Sequence, residues 1–220
     1  TRIPLWREDF KKPVMIDECS YEGDIPEMWG CISAREMTAR FWRTVVSGGY
    51  CTHGETFLDP EDVLWWAKGG VLKGQSPKRI AFLKELLSEL PGPIEPLILG
   101  LDKLRDAPEG GEEEALKAIP EEMRNFMRKY MRMGYADRML FSAADHGWSG
   151  RCGELAYLYY YDLRCCRRDT IELPQTHTYR IELIDTWEMT RQVQARGVNG
   201  KVEVKLPGRE GMAVLAIALP

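Results

Sequence analysis

Val14, Met15 and Ile16 form a short apolar run that stops at once on Asp17 and Glu18. Pro13 precedes it, at a position where a strand tolerates the missing N–H. A short apolar run without alternation is the pattern of a parallel strand with both faces covered, so a buried strand is expected over 13–18. A loop with Gly23, Pro26 and Gly30 follows. Ser33 and Glu36 then stand as S-x-x-E, the signature of a capped helix start. Met37, Phe41, Trp42, Val45 and Val46 fall on one face of that helix, and Gly48–Gly49 end it. A second short strand is expected at about Tyr50–His53. Strand, loop, helix and strand make a βαβ unit, which requires parallel pairing through a crossover.

Parallel strands of this kind deliver reactive side chains at their carboxyl ends. Asp17 and Glu18 occupy one such end, and His53, Gly54 and Glu55 the other. By strand alternation Asp17 points away from Glu18, and a structural role is expected for it. Glu22 rivals Glu18 as the functional carboxylate; its other reading is a loop-ordering or hydroxyl-binding acid. Tyr21 and His53 are candidate donors that would keep Glu18 ionised.

Further along, Asp59–Pro60 and Ser76–Pro77 each read as a helix start. The first helix carries Trp65 and Trp66; the second carries the stripe Ile80, Leu83, Leu86, Leu87 and Leu90. Residues 101–122 read as a charged surface excursion, and Pro120–Met133 as one more helix. From about residue 154 the pattern changes to short strands separated by Pro, Gly and Asn turns. They are expected over 155–163, 178–185, 186–193, 202–206 and 212–219, as an antiparallel sheet or sandwich. Arg180, Glu182 and Asp185 interleave with apolar residues there, so one face is expected to be wet.

The motifs resemble one family. KPVMIDECSYEGDIP resembles the seventh barrel strand of the apiosidase-like bacterial glycoside hydrolases. FWRTVVSGGYCTHGETF is similar to their next helix and eighth strand, and DVLWWAKGGVLKGQSPKRIAFLKELL to the segment after it. IDTWEM and LPGREGMAV resemble a small C-terminal domain of unknown function appended to some of these enzymes. The resemblance implies an α/β plus all-β chain: the last two βα units of a (β/α)₈ TIM barrel over 1–100, a connecting segment over 101–150, and an antiparallel β-sandwich over 151–220. It also implies hydrolysis of O-glycosidic bonds by a retaining, two-carboxylate mechanism. Glu18 takes the place of the nucleophile, and the acid/base belongs to a fourth barrel strand outside this sequence. Glu22, Tyr21, His53, Glu55, Trp29 and Trp65 are the candidate sugar-binding residues.

A whole barrel takes about 250 residues, so the chain reads as part of a longer enzyme, inactive alone. Its expected partners are a carbohydrate, and an upstream barrel half or a second copy at an open barrel edge. The alternative is a carbohydrate-binding or assembly module without catalysis, with the late sheet holding the sugar or partner.

Composition narrows the remaining classes. The net charge is −4, and the densest basic spot is Arg164–Arg168 (RCCRR), read as a solvated strand end, so no nucleic-acid surface is expected. No apolar run is long enough to span a bilayer. The cysteines, at 19, 31, 51, 152, 165 and 166, are expected to be reduced, with the cytoplasm as the matching compartment. Cys19, Cys31, Cys51 and His53 lack the C-x₂-C pair of a zinc site, and neither a metal nor a cofactor is expected.

Overall fold

In the computed structural model, residues 3–58, 71–97, 112–117 and 148–220 are described, with single positions 124, 128, 132 and 134. A short helix, α1 (Ile3–Phe10), leads into strand β1 (Met15–Ile16). After β2 (Glu22–Gly23) and a single 3₁₀ turn at Met28–Gly30 comes α2 (Ala34–Val46). Strands β3 (Tyr50–Cys51) and β4 (Glu55–Thr56) follow, then α3 (Ser76–Ser88), β5 (Glu95–Pro96) and α4 (Glu112–Lys117).

The expected βαβ unit is present. β1 and β3 are parallel, with Met15 opposite Tyr50 and Ile16 opposite Cys51. α2 connects them and starts as its sequence requires: the Ser33 hydroxyl accepts the Glu36 N–H at 3.1 Å. Glu36 does not reach back to complete the box. Its carboxylate takes Arg40 Nε at 2.8 Å and Arg43 Nη2 at 3.0 Å instead.

The strand itself differs from expectation. It is two residues long, and Met15 is 60% exposed. Among the described residues, only β3 pairs with it. An apolar run signals that a strand can be buried, but a cover on both faces has to come from elsewhere in the fold.

The remainder is a large antiparallel system: β6 (Trp148–Cys152), β7 (Ala156–Tyr161), β8 (Arg168–Leu173), β9 (Tyr179–Asp185), β10 (Thr190–Val198), β11 (Gly200–Lys205) and β12 (Met212–Ala218). Six strands form one sheet in the order β10-β9-β12-β7-β6-β5, while β8 and β11 form a separate pair. β7 shows how the layers arise. Tyr157, Tyr159 and Tyr161 point to one face, joined there by Met212, Val214, Tyr179 and Ile181, and pack on Ile171, Leu173, Val202, Val204 and Leu206 of the β8–β11 layer. Ala156, Leu158 and Tyr160 point to the other face and pack, with Leu215 and Ile184, on Met37, Phe41, Trp42 and Val46 of α2 and Leu83 and Leu86 of α3. The Trp42 indole stacks on the Tyr160 ring, centroids 5.4 Å apart. The chain is thus β-rich, with its central sheet held between two helices and a second β layer.

Three further differences have local causes. β10 begins at Thr190, not at Thr186, because the Asp185 carboxylate accepts the N–H groups of Trp187 at 3.0 Å and Glu188 at 2.9 Å. That side-chain turn displaces the ladder by four residues. The acids of this stretch are covered, not wet: Asp185, on one face, is 7% exposed, and Glu182, on the other face, which it shares with Arg180, is 5% exposed. Arg180 Nε lies 2.6 Å and Arg191 Nε 2.7 Å from its two oxygens, and Arg191 also forks onto Glu89 at the end of α3. Finally, RCCRR leads directly into β8, a strand whose alternation in RDTIEL the basic cluster obscures. The helix expected at Asp59, with Trp65 and Trp66, and most of that over 120–133 lie outside the described residues.

Candidate active site

Glu18 lies just past the carboxyl end of β1 and is exposed. The loop that carries it is tied down on both sides. The Thr52 hydroxyl donates to the Asp17 carbonyl, and Arg40 Nη1 donates to the Cys19 carbonyl and to Ser20 Oγ. The Tyr21 phenol lies within electrostatic reach of the Glu18 carboxylate. Burial, followed by the interaction with the Glu18 carboxylate and its charge, raises the phenol above its ordinary value.

The Tyr21 ring is seated against Gly54, where a Cβ would come within 2.6 Å of it. Trp29 stands edge-on to the same ring, centroids 5.9 Å apart and planes at 83°, and is 45% exposed. The backbone closes this corner: Tyr21 N–H donates to Trp29 O at 2.7 Å, and Ile32 N–H to Tyr21 O at 3.2 Å. An ionisable carboxylate, a phenol donor and an aromatic face therefore share one solvent-facing corner.

The second group is buried. β2 and β4 are parallel, with Glu22 opposite Glu55, and each of these acids is 5% exposed. Glu55 accepts Lys73 N–H at 2.7 Å and Gly74 N–H at 3.0 Å. Glu22 accepts Gln75 N–H at 2.8 Å, Ser76 N–H at 3.0 Å and the Ser76 hydroxyl at 2.5 Å. The Gln75 and Ser76 amides stand at the start of α3, where the helix itself offers no acceptor, and its own N-cap residue, Gln75, makes no side-chain cap. Glu22 is thus a cap supplied from a distant strand, at the positive end of the helix dipole. Gly74 permits the approach, since a Cβ there would lie 2.5 Å from the Glu22 carboxyl carbon.

His53 joins this second group and not Glu18. Its Nε2 lies 3.0 Å from Ser76 Oγ and 3.9 Å from Glu55 Oε1. Burial lowers its pKa from the ordinary value, against the opposing charges of Glu55 and Glu22. Glu22, His53 and Glu55 bring ligand-type atoms within 4.8 Å of one another. Backbone N–H groups already point at all four carboxylate oxygens, so the arrangement acts as a clamp on residues 73–76. A cation would meet the positive ends of those amides.

The structure thus divides the sequence candidates. Glu18, Tyr21 and Trp29 share the exposed corner, and Glu22, Glu55 and His53 form the clamp. Trp65 lies outside the described residues. Sequence reasoning missed the partners of the clamp, Lys73 to Ser76. No signal in the sequence pointed to them, because Ser76–Pro77 reads as a self-capped start; in the structure Ser76 lies inside α3, Gln75 takes the N-cap position without a side-chain cap, and the Ser76 hydroxyl donates to Glu22.

Residues 145–216, which include β6 to β11 and most of β12, match the family described as a domain of unknown function, DUF5605. The chain also shares its fold with two solved proteins. One, from Bacteroides vulgatus ATCC 8482, is described as a "putative glycoside hydrolase"; it is 21% identical, with a TM-score of 0.68, and the match covers 99% of this chain and 38% of that one. The other, described as a glycoside hydrolase, is 14% identical with a TM-score of 0.54, covering 99% of this chain and 46% of that one. The chain therefore spans less than half the length of either. No curated protein matches it in sequence.

Proposed function

We propose that this chain is the C-terminal part of a retaining glycoside hydrolase, and that Glu18 is its nucleophile. The observation that carries the proposal is the placement of Glu18: solvent-facing, just past the carboxyl end of a parallel strand in a βαβ unit, on the loop that also carries Tyr21. In this reading β1, α2 and β3 belong to the last two βα units of a (β/α)₈ barrel of the apiosidase-like kind. Residues 151–220 form its appended β domain, joined through 101–150.

The chemistry assigns distinct tasks to the corner. The ionised Glu18 attacks the anomeric carbon and forms a glycosyl–enzyme ester as the leaving oxygen takes a proton. A second carboxyl, about 5–5.5 Å away in retaining enzymes, gives that proton and later activates water. Glu22 and Glu55 are held in the backbone clamp, so the proposal places the acid/base on an upstream barrel strand. Tyr21 orients Glu18, and the Trp29 ring offers an apolar face for a pyranose. The cross-strand pair Met15 and Tyr50, 60% and 54% exposed, marks where the upstream barrel half would pack.

The full-length protein provides the test. Glu18→Gln is expected to abolish turnover of aryl glycosides, and Glu18→Ala with added azide to release a glycosyl azide of inverted anomeric configuration. Wild-type turnover in the Gln variant overturns the assignment. The rival reading, a module that holds sugar on the late sheet, finds less support, since β7, β9 and β12 are packed on both faces.

A further inference from the structure

Cys19 and Cys51 lie at the ends of β1 and β3, outside the clamp and outside any role given to the corner. Both are free and half-buried, and their Sγ atoms are 3.4 Å apart. For Cys31, Cys152, Cys165 and Cys166 no thiol–thiol contact is present among the described residues. We propose that Cys19 and Cys51 are an oxidation site: a dithiol that a hydroperoxide converts, reversibly, into a disulfide across the β1–β3 pair.

The surroundings assign the two roles. The Cys51 thiol donates its hydrogen bond to Cys19 Sγ. That bond, aided by the Arg40 charge, lowers the Cys19 pKa to about 7 against the effect of burial. Cys51 shifts upward, through its bond to Cys19 and through burial. Cys19 is therefore the attacking thiolate and Cys51 the resolving thiol. In the first step Cys19–S⁻ attacks the peroxide O–O bond. It becomes the sulfenic acid Cys19–SOH, and the alkoxide or hydroxide that leaves takes a proton. In the second step the Cys51 sulfur displaces that hydroxyl as water, forming the S–S bond. Two electrons pass from the sulfurs to the peroxide, which is the only oxidant required. A dithiol reductant returns both thiols by exchange.

Because Cys19 is peptide-bonded to Glu18, the bond would also fix the loop that carries the proposed nucleophile. That consequence rests on the glycosidase reading; the thiol chemistry does not.

The test is made on the unmodified protein. Reduced protein is titrated with hydrogen peroxide, remaining thiols are alkylated, and the digest is read by mass spectrometry. The expected result is loss of two of the six alkylatable thiols, with one cross-linked peptide joining Cys19 to Cys51, reversed by dithiothreitol. In Cys51→Ser, dimedone should trap a sulfenic acid at Cys19; in Cys19→Ser it should trap none at Cys51. The proposal is overturned if another pair cross-links first, or if Cys19 and Cys51 stay alkylatable at peroxide levels that consume the other cysteines.

Discussion

The two parallel pairs, β1–β3 and β2–β4, and the six-stranded sheet solve opposite problems with the same alternating backbone. In the first region every strand is two residues long, and side chains such as Met15, Tyr50 and Trp29 face solvent. Its order comes from polar ties: Thr52 on the Asp17 carbonyl, Arg40 on the Cys19 carbonyl, and two buried glutamates on the amides of 73–76. In the second region six consecutive residues of β7 are buried, and order comes from apolar side chains on two faces. A polar scaffold leaves a carboxylate such as Glu18 free to face solvent, while an apolar one leaves no room for it. Chemistry is therefore expected from the first region and stability from the second.

The strongest way to break that contrast is to exchange the roles by mutation. Glu18→Gln in the full-length protein is expected to lower turnover by about 10³-fold or more, as loss of a nucleophile does. It should leave the melting temperature almost unchanged, since Glu18 is exposed. Trp42→Ala, whose side chain is fully buried under the sheet, should do the reverse. Its loss of packing on Tyr160 is expected to cost about 3–5 kcal/mol in chemical denaturation. A Glu18→Gln protein that melts early, or a Trp42→Ala protein of normal stability, would erase the distinction.

The same contrast explains what the sequence disclosed. α2 was legible because its start and its stripe are local: Ser33 caps within three residues, and Met37, Phe41 and Trp42 recur at helical spacing. β7, β9, β11 and β12 were legible because each alternates or runs apolar. The clamp was not, because Glu22 and the amides it caps are more than fifty residues apart and meet only when β2 pairs with β4. Nor was the covered state of Glu182 legible. An acid amid apolar residues reads as solvent-facing until Arg180 and Arg191 close over it. Glu18 itself stood out by position, at the point where the apolar run stops.

A smaller effect distinguishes the clamp from the corner. Glu22→Gln keeps the shape but removes the charge that faces the α3 N-terminus, and presents an amide N–H₂ toward backbone donors. The expected cost is about 1–3 kcal/mol, in the range for a buried donor left without its acceptor. Hydrogen exchange should show it locally, with the amides of Gln75 and Ser76 opening faster while those of β7 are unchanged. Equal acceleration in both places would mean that the clamp and the sheet unfold as one unit.

The smallest expected effect concerns protons. Burial sets the native pKa of His53 below its ordinary value, so on acidification the unfolded chain takes up the proton first. The sign follows: the unfolded state binds more protons between the two pKa values, and stability falls as the pH drops below about 6.5. Glu36, lowered by its bonds and charge pairing with Arg40 and Arg43 despite burial, loses its contribution at lower pH, in the carboxylate range. The two can therefore be separated by pH. Urea midpoints at pH 7.5 and 5.5 should fall more for the native chain than for His53→Gln, which cannot titrate. If both fall alike, the acid sensitivity lies outside the clamp. The hydrogen bonds around Glu22 and Glu55 would then hold residues 73–76 without the histidine that links them.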